Sequence, residues 1–330
     1  MEILPPEIPE TPAQTAWAAR PSIFWGPNGL RAGWSLLVYV AILIGLLFLA
    51  GFELHWFAMR THQSMMGKGS GEVLPAIAIV TEATTLLAVI LATAFMGWTE
   101  NRRVAFYGLM GSDRVRQFVI GIFCGFGFLS LLVGILVATH HLALERIHMP
   151  NGTALAYAAA WGLFFLLVGM TEELMLRGYL LFTLARGIRF WPAAILLAVL
   201  FAFLHKSNPG ESPLGLVMAA IIALVFSFSL WRLGHLWWAI GFHVTWDWAE
   251  SYFYGTADSG MVSAGRLMHA HPSGAILLSG GATGPEGSAW CLLIVALAAL
   301  FVWKTQPHRG IRLAESQDVQ GIPASNLMER

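Results

Sequence analysis

Eight stretches of the chain are apolar enough to be read as membrane-spanning helices: about Trp34–Phe57, Leu74–Trp98, Phe118–Thr139, Ala154–Ala185, Trp191–His205, Leu214–Trp231, Leu236–Tyr254 and Ala289–Trp303. A helix that crosses the hydrocarbon core needs about 20 mainly apolar residues. Inside lipid, every backbone N–H and C=O must find its partner within the protein, which leaves helices or closed barrels as the spanning structures. Runs of this length select helices. The expected fold is therefore all-α, a polytopic transmembrane helical bundle of about eight spanning helices. Composition agrees: 12% of the 330 residues are charged, about half the share in a soluble domain. The fifth and eighth runs are short. The fourth is long enough to tilt or protrude.

Three parts are expected. Residues 1–30 carry six prolines and read as a disordered or interfacial tail rather than a signal peptide. Residues 31–304 form the transmembrane domain, and 305–330 a polar C-terminal tail. With the N-terminus placed in the cytoplasm, 13 Lys and Arg residues fall on that side and five on the other, Arg177 being set aside. This bias orients the bundle with both termini cytoplasmic, as expected of a multi-pass integral protein of the cell inner membrane. Net charge is zero, so no nucleic-acid partner is expected. Cys124 and Cys291 lie in apolar runs and lack metal-site spacing. They read as small packed hydrophobes.

The informative residues are the polar ones that interrupt the apolar runs. Glu172 and Glu173 follow the run Leu155–Met170, and Arg177 stands four residues after Glu173. Ionisable side chains at membrane depth are costly and usually functional. Residues four apart share a helical face, whereas adjacent ones diverge. Glu173 and Arg177 are thus expected to form a structural ion pair, leaving Glu172 unpaired and available as a general base. The alternative is that both glutamates belong to one structural network with Arg177. His205 closes Phe201-Ala-Phe-Leu-His205 and reads equally as a packed or interfacial histidine. His243 and Asp247 share a face at i, i+4, a pattern open to structural and functional readings. Glu82, inside the second run, is expected to bond within the bundle, with a proton-relay or substrate role as the alternative. Glu53, His55 and His235 read as interfacial, and His140, His141, His148, His269 and His271 as solvated.

The order Glu-Glu-x-x-x-Arg, Phe-x-x-x-His, His-x-x-x-Asp on three successive apolar runs resembles the CAAX prenyl protease and bacteriocin-processing family of intramembrane endopeptidases. The resemblance covers about residues 155–303, including Gly280–Ser288, which is similar to a glycine-rich stretch before the last helix of bacterial members. It implies a peptidase in which Glu172 and His205 activate a water, and in which His243 and Asp247 stabilise the oxyanion. Asp247 stands where the family has asparagine, and an ionised carboxylate there would repel an oxyanion. It could be protonated, or it could orient His243 and support its imidazolium, the favoured reading. Alternatively Glu172, His205, His243 and Asp247 hold catalytic zinc, as in a metalloendopeptidase. The favoured reading requires no cofactor. Expected partners are membrane lipids and a peptide or protein substrate with a hydrophobic or lipidated end. Two other functions stay open: a non-catalytic membrane immunity or maturation partner, and a proton-coupled transporter.

Overall fold

The computed structural model describes residues 23–26, 29–61 and 72–311. The tails expected at 1–30 and 305–330 therefore lie mostly outside the described residues. A short antiparallel pair, β1 (Trp25–Gly26) and β2 (Gly29–Leu30), precedes α1 (Ala32–Thr61). Next come α2 (Pro75–Thr99), α3 (Arg114–Ala138) and strand β3 (Leu142–Arg146). α4 (Asn151–Glu172) continues through a π-helical segment, Glu173–Leu180, into α5 (Leu181–Ile188). α6 (Phe190–His205) and α7 (Pro213–Leu233) follow. α8 (Trp237–Trp248) runs into a second π-helical segment, Ala249–Phe253. β4 (Met268–Pro272), α9 (Ile276–Ser279) and α10 (Ala289–Thr305) complete the chain.

The helix ends follow local chemistry. Proline opens α2 and α7, where its missing N–H costs nothing. The Ser212 hydroxyl accepts from the Gly215 N–H at 3.0 Å and caps α7. Gly234, at φ +77°, ends that helix in the left-handed conformation.

Among the described residues, five helical stretches are long and apolar enough to cross a membrane: Ala32–Glu53, Pro75–Thr99, Arg114–Ala138, Asn151–Ile188 and Pro213–Leu233. α6 and α10 are apolar but shorter, at 16 and 17 residues. Leu37, Phe48, Phe123, Leu155 and Phe203 point outward and exposed, as lipid-facing side chains do. The molecule is mainly helical, and besides the short β1–β2 pair it departs from a purely α bundle in two ways. β3 pairs antiparallel with β4, from Leu142↔Pro272 to Arg146↔Met268. The long link after α8 is thereby tied to the α3–α4 connection. The fourth and seventh runs are also not continuous α-helices, since each widens into a π-helical segment. Inside the first, Gly178 leaves helical geometry altogether (φ −83°, ψ −117°).

α8 is the central element. Ile240 and Val244 pack into a core shared with α1, α2, α5 and α6. Trp238, Phe242 and Trp246 pack into another shared with α3, α7 and α10. Its contact with α3 is backbone against backbone. A Cβ on Gly121 would stand 2.3 Å from the Trp238 carbonyl oxygen, and one on Gly125 would stand 2.1 Å from that of Phe242. The two glycines form the small-xxx-small spacing that brings membrane helices close. Thr245 Oγ1 donates across the seam to the Ile122 carbonyl at 2.8 Å. Gly125→Val is expected to lower stability by about 1–3 kcal/mol or more, the usual range for overpacking, measured as the melting temperature in mild detergent.

The same two helices are joined at their starts. Asp113 Oδ1 accepts from His235 Nε2 at 3.1 Å and from Arg309, while Oδ2 accepts from Gln117 Nε2 at 3.1 Å. His235, expected at the interface, is 1% exposed, with its Nε2 bonded to this carboxylate. Partial burial raises the Asp113 carboxyl, but the bonds from Gln117, His235 and Arg309 outweigh it and hold the group well below the usual carboxylate range. A folded pKa below the unfolded one contributes stability that is complete above about pH 4 and is lost as pH falls further. The melting-temperature gap between wild type and Asp113→Asn is expected to be full at pH 6 and to shrink as acid is added below pH ~4.

Candidate active site

Three elements converge on one polar centre. Glu172 ends α4, and Glu173 and Arg177 lie in the π-helical segment that follows, a device frequent at functional sites. His243 and Asp247 lie one turn apart on α8. His243 holds them together. Its Nδ1 is 3.1 Å from Glu173 Oε1, and its Nε2 is 3.5 Å from Glu172 Oε2 and 3.4 Å from Asp247 Oδ2. Since a carboxylate only accepts, the Glu173 contact places a proton on Nδ1 and turns Nε2 toward the other two carboxylates.

Glu173 and Arg177 pair as the spacing predicts, at 2.6 Å, with side chains 0% and 3% exposed. The guanidinium is also sandwiched between aromatic rings, 5.0 Å from the Phe201 centroid and 5.5 Å from that of Phe226. Glu173 does more than the pair requires, because the oxygen that meets Arg177 also meets His243. It thus links the cation to the imidazole. The side chain of Glu172 is partly open, at 23% exposure, and its Oε2 has no hydrogen-bond partner.

A cavity of about 360 Å³ opens on this centre. Glu172, His205, His243 and Asp247 all line it, with Phe164, Phe165, Met218, Ile222 and Phe226 as apolar wall. His205 is on the wall but apart from the cluster. It makes no ion-pair contact with Glu172 or Asp247 among the described residues, and its Nδ1 donates to the Phe201 carbonyl at 2.8 Å. That bond fixes the proton on Nδ1 and leaves Nε2 of the neutral ring as an acceptor.

Glu82 also lines the cavity, from α2. The cavity wall adds acidic residues that reading the sequence does not single out. Asp258 and Glu286 face the cavity, and Glu250 stands behind them, fully buried. The signal was present in the numbering, since residues 243, 247 and 250 follow one another at four and three along one helical face.

The donors expected for zinc do not fit a zinc ion as they stand. Among the described residues, the one group of three or more acidic, histidine or cysteine side chains whose ligand atoms lie mutually within 4.8 Å is Glu250, Asp258 and Glu286. Glu172, His205, His243 and Asp247 do not gather in this way. His243 commits Nδ1 to Glu173, and His205 stands off from the others.

A buried carboxylate–imidazole centre is thus set in an apolar-walled cavity among membrane-length helices. Residues 153–249 match the family model described as Rce1-like, type II CAAX prenyl endopeptidase Rce1-like. The segment that carries Glu172, His205, His243 and Asp247 therefore belongs to the CAAX protease family, and the chain is an integral membrane protein with a membrane-protease domain. Comparison with curated proteins and with solved structures gives no match.

Proposed function

We propose that the protein hydrolyses a peptide bond within the membrane, using a water activated by Glu172. The observation that carries this reading is the Glu172 carboxylate, 3.5 Å from His243 Nε2, on the wall of a cavity in a segment that matches the endopeptidase family. In this mechanism Glu172 takes a proton from the water, whose oxygen attacks the scissile carbonyl. The developing oxyanion is met by His243 Nε2–H. Glu173, accepting from Nδ1, and Asp247, beside Nε2, hold the ring and balance its imidazolium charge. Asp247 thus orients His243 instead of facing the oxyanion, which accounts for a carboxylate at a position where the family has asparagine. Glu172 then returns the proton to the leaving amine. His205 assists from the cavity wall, its Nε2 accepting from the water or the substrate. No step requires a metal.

The apolar wall favours a substrate with a hydrophobic or lipidated end, entering between helices as ligands of helical bundles do. Counting α6, α8 with its extension and α10 gives about eight spans, with both termini on the cytoplasmic face of the inner membrane, in line with the distribution of Lys and Arg.

The test is cleavage of peptides with prenylated or plain hydrophobic C-terminal ends by protein in liposomes, run in H₂¹⁸O and read by mass spectrometry. One ¹⁸O in the new carboxylate, in a chelator-treated sample, is the expected result. Binding of these peptides without cleavage would favour the non-catalytic partner reading. A pH-driven ion flux without cleavage would favour the transporter reading. Either outcome overturns the proposal.

A further inference from the structure

Three acidic residues outside the His243 cluster, two of them on the cavity wall, form a second group. Glu250 projects from the π-helical extension of α8, Asp258 from the link that follows, and Glu286 from the turn Pro285–Gly287 just before α10. Their ligand oxygens lie within 4.8 Å of one another. None of the three is ion-paired to a basic side chain among the described residues. Two are partly satisfied: Trp246 Nε1 donates to Glu286 at 2.9 Å and Ser259 Oγ at 3.2 Å, while Ser251 Oγ donates to Asp258 at 3.0 Å. Glu250 is not. It is 0% exposed, and neither carboxylate oxygen has a hydrogen-bond partner among the described residues. A buried carboxylate left this way is costly unless something neutralises it.

We propose that Glu250, Asp258 and Glu286 bind a hard divalent cation, Ca²⁺ foremost. The donor set is all oxygen, which favours Ca²⁺ or Mg²⁺ over the softer metals that prefer nitrogen and sulfur. Ca²⁺ accepts more ligands and looser geometry than Mg²⁺, and the surroundings supply them. Gly284, at φ +108°, is packed against by the Ala257 carbonyl oxygen and by Glu250 Oε1, which a Cβ there would meet at 2.1 and 3.2 Å. A backbone carbonyl therefore lies beside the unsatisfied carboxylate. Water can reach the remaining positions, because Asp258 and Glu286 line the cavity. The ion would fasten the end of α8, the long link and the start of α10 to one another. It is distinct from the zinc set considered above and does not depend on peptidase activity.

The probe is Tb³⁺, a luminescent stand-in for Ca²⁺ that a nearby indole sensitises. Trp246, bonded to Glu286, is suitably placed. Chelator-stripped wild type in detergent should show sensitised emission that excess Ca²⁺ displaces, and Ca²⁺ alone should raise its melting temperature by several degrees, as a native-state ligand does. Glu250→Gln and Asp258→Asn should each lose at least about tenfold in emission and most of the thermal shift, while Glu145→Gln, on exposed β3, should lose neither. If Glu250→Gln does not fold, Asp258→Asn and the wild-type titration carry the test. Wild type without emission or a Ca²⁺-dependent shift overturns the site, as does emission undiminished in both variants. A larger shift with Zn²⁺ than with Ca²⁺ overturns the hard-cation assignment. Cleavage measured on the same samples separates failure of this site from failure of the peptidase reading.

Discussion

Glu172→Gln is expected to lower turnover by about 10²–10⁴-fold, the usual contribution of a positioned general base, while KM for a hydrophobic peptide changes little. Glutamine keeps the size of the side chain and its place on the cavity wall but cannot take the proton from water. The change should fall on kcat, because Glu172 stabilises the transition state and the apolar wall holds the substrate. The melting temperature should remain within a degree or two of wild type. The carboxylate is partly open and makes no hydrogen bond through Oε2, so the fold gains little from it. Single-turnover cleavage with the variant, compared with its peptide affinity, checks the prediction. Wild-type turnover in Glu172→Gln would remove Glu172 from the chemistry.

The second large effect is on stability. Arg177→Met is expected to destabilise the protein by about 3–5 kcal/mol, the cost of stranding one partner of a buried ion pair. Glu173 is fully buried, and among the described residues its only basic partner within 4 Å besides His243 is Arg177, while its second oxygen, Oε2, has no hydrogen-bond partner. Arg177→Lys should rescue only part of the loss, because an ammonium lacks the planar face that sits between Phe201 and Phe226. The double variant Glu173→Gln/Arg177→Met should be more stable than Arg177→Met alone, since it strands no charge. Denaturant titration in mild detergent on the four proteins reads both effects. Equal stability of the single and double variants would show that the pair is not the source of the loss.

Much of this centre is legible in the sequence because charge in an apolar run is rare and helical spacing is regular. The Glu173–Arg177 pair follows from i, i+4 geometry, and so does the shared face of His243 and Asp247. The helices themselves appear within a few residues of their observed ends. Other features depend on contacts that no local pattern specifies. The bond from His243 Nδ1 to Glu173 joins residues 70 positions apart. Pairing of β3 with β4 requires two short polar segments to meet across more than a hundred residues. The widening of the chain at 173–180 has no marker except Gly178. Gly121 and Gly125 do display the close-packing spacing, but only the structure shows that α8 is the partner. Glu250 continues the face of His243 and Asp247 on the extension of α8, but Asp258 and Glu286 lie on two separate connections, so the three look unrelated until the fold gathers them.

The two π-helical segments flank the centre, one starting at Glu173 and the other at Ala249. A ring closed from i to i+5 holds one residue more than an α-helical ring. Chain length inside these segments therefore acts as an angular adjustment: removing one residue between 174 and 177 would swing Arg177 by about 100° away from Glu173, with every residue type at the centre unchanged. Relatives that keep all the polar side chains but differ by a single insertion or deletion here should differ in activity, and a comparison of residue identities alone would overlook the reason.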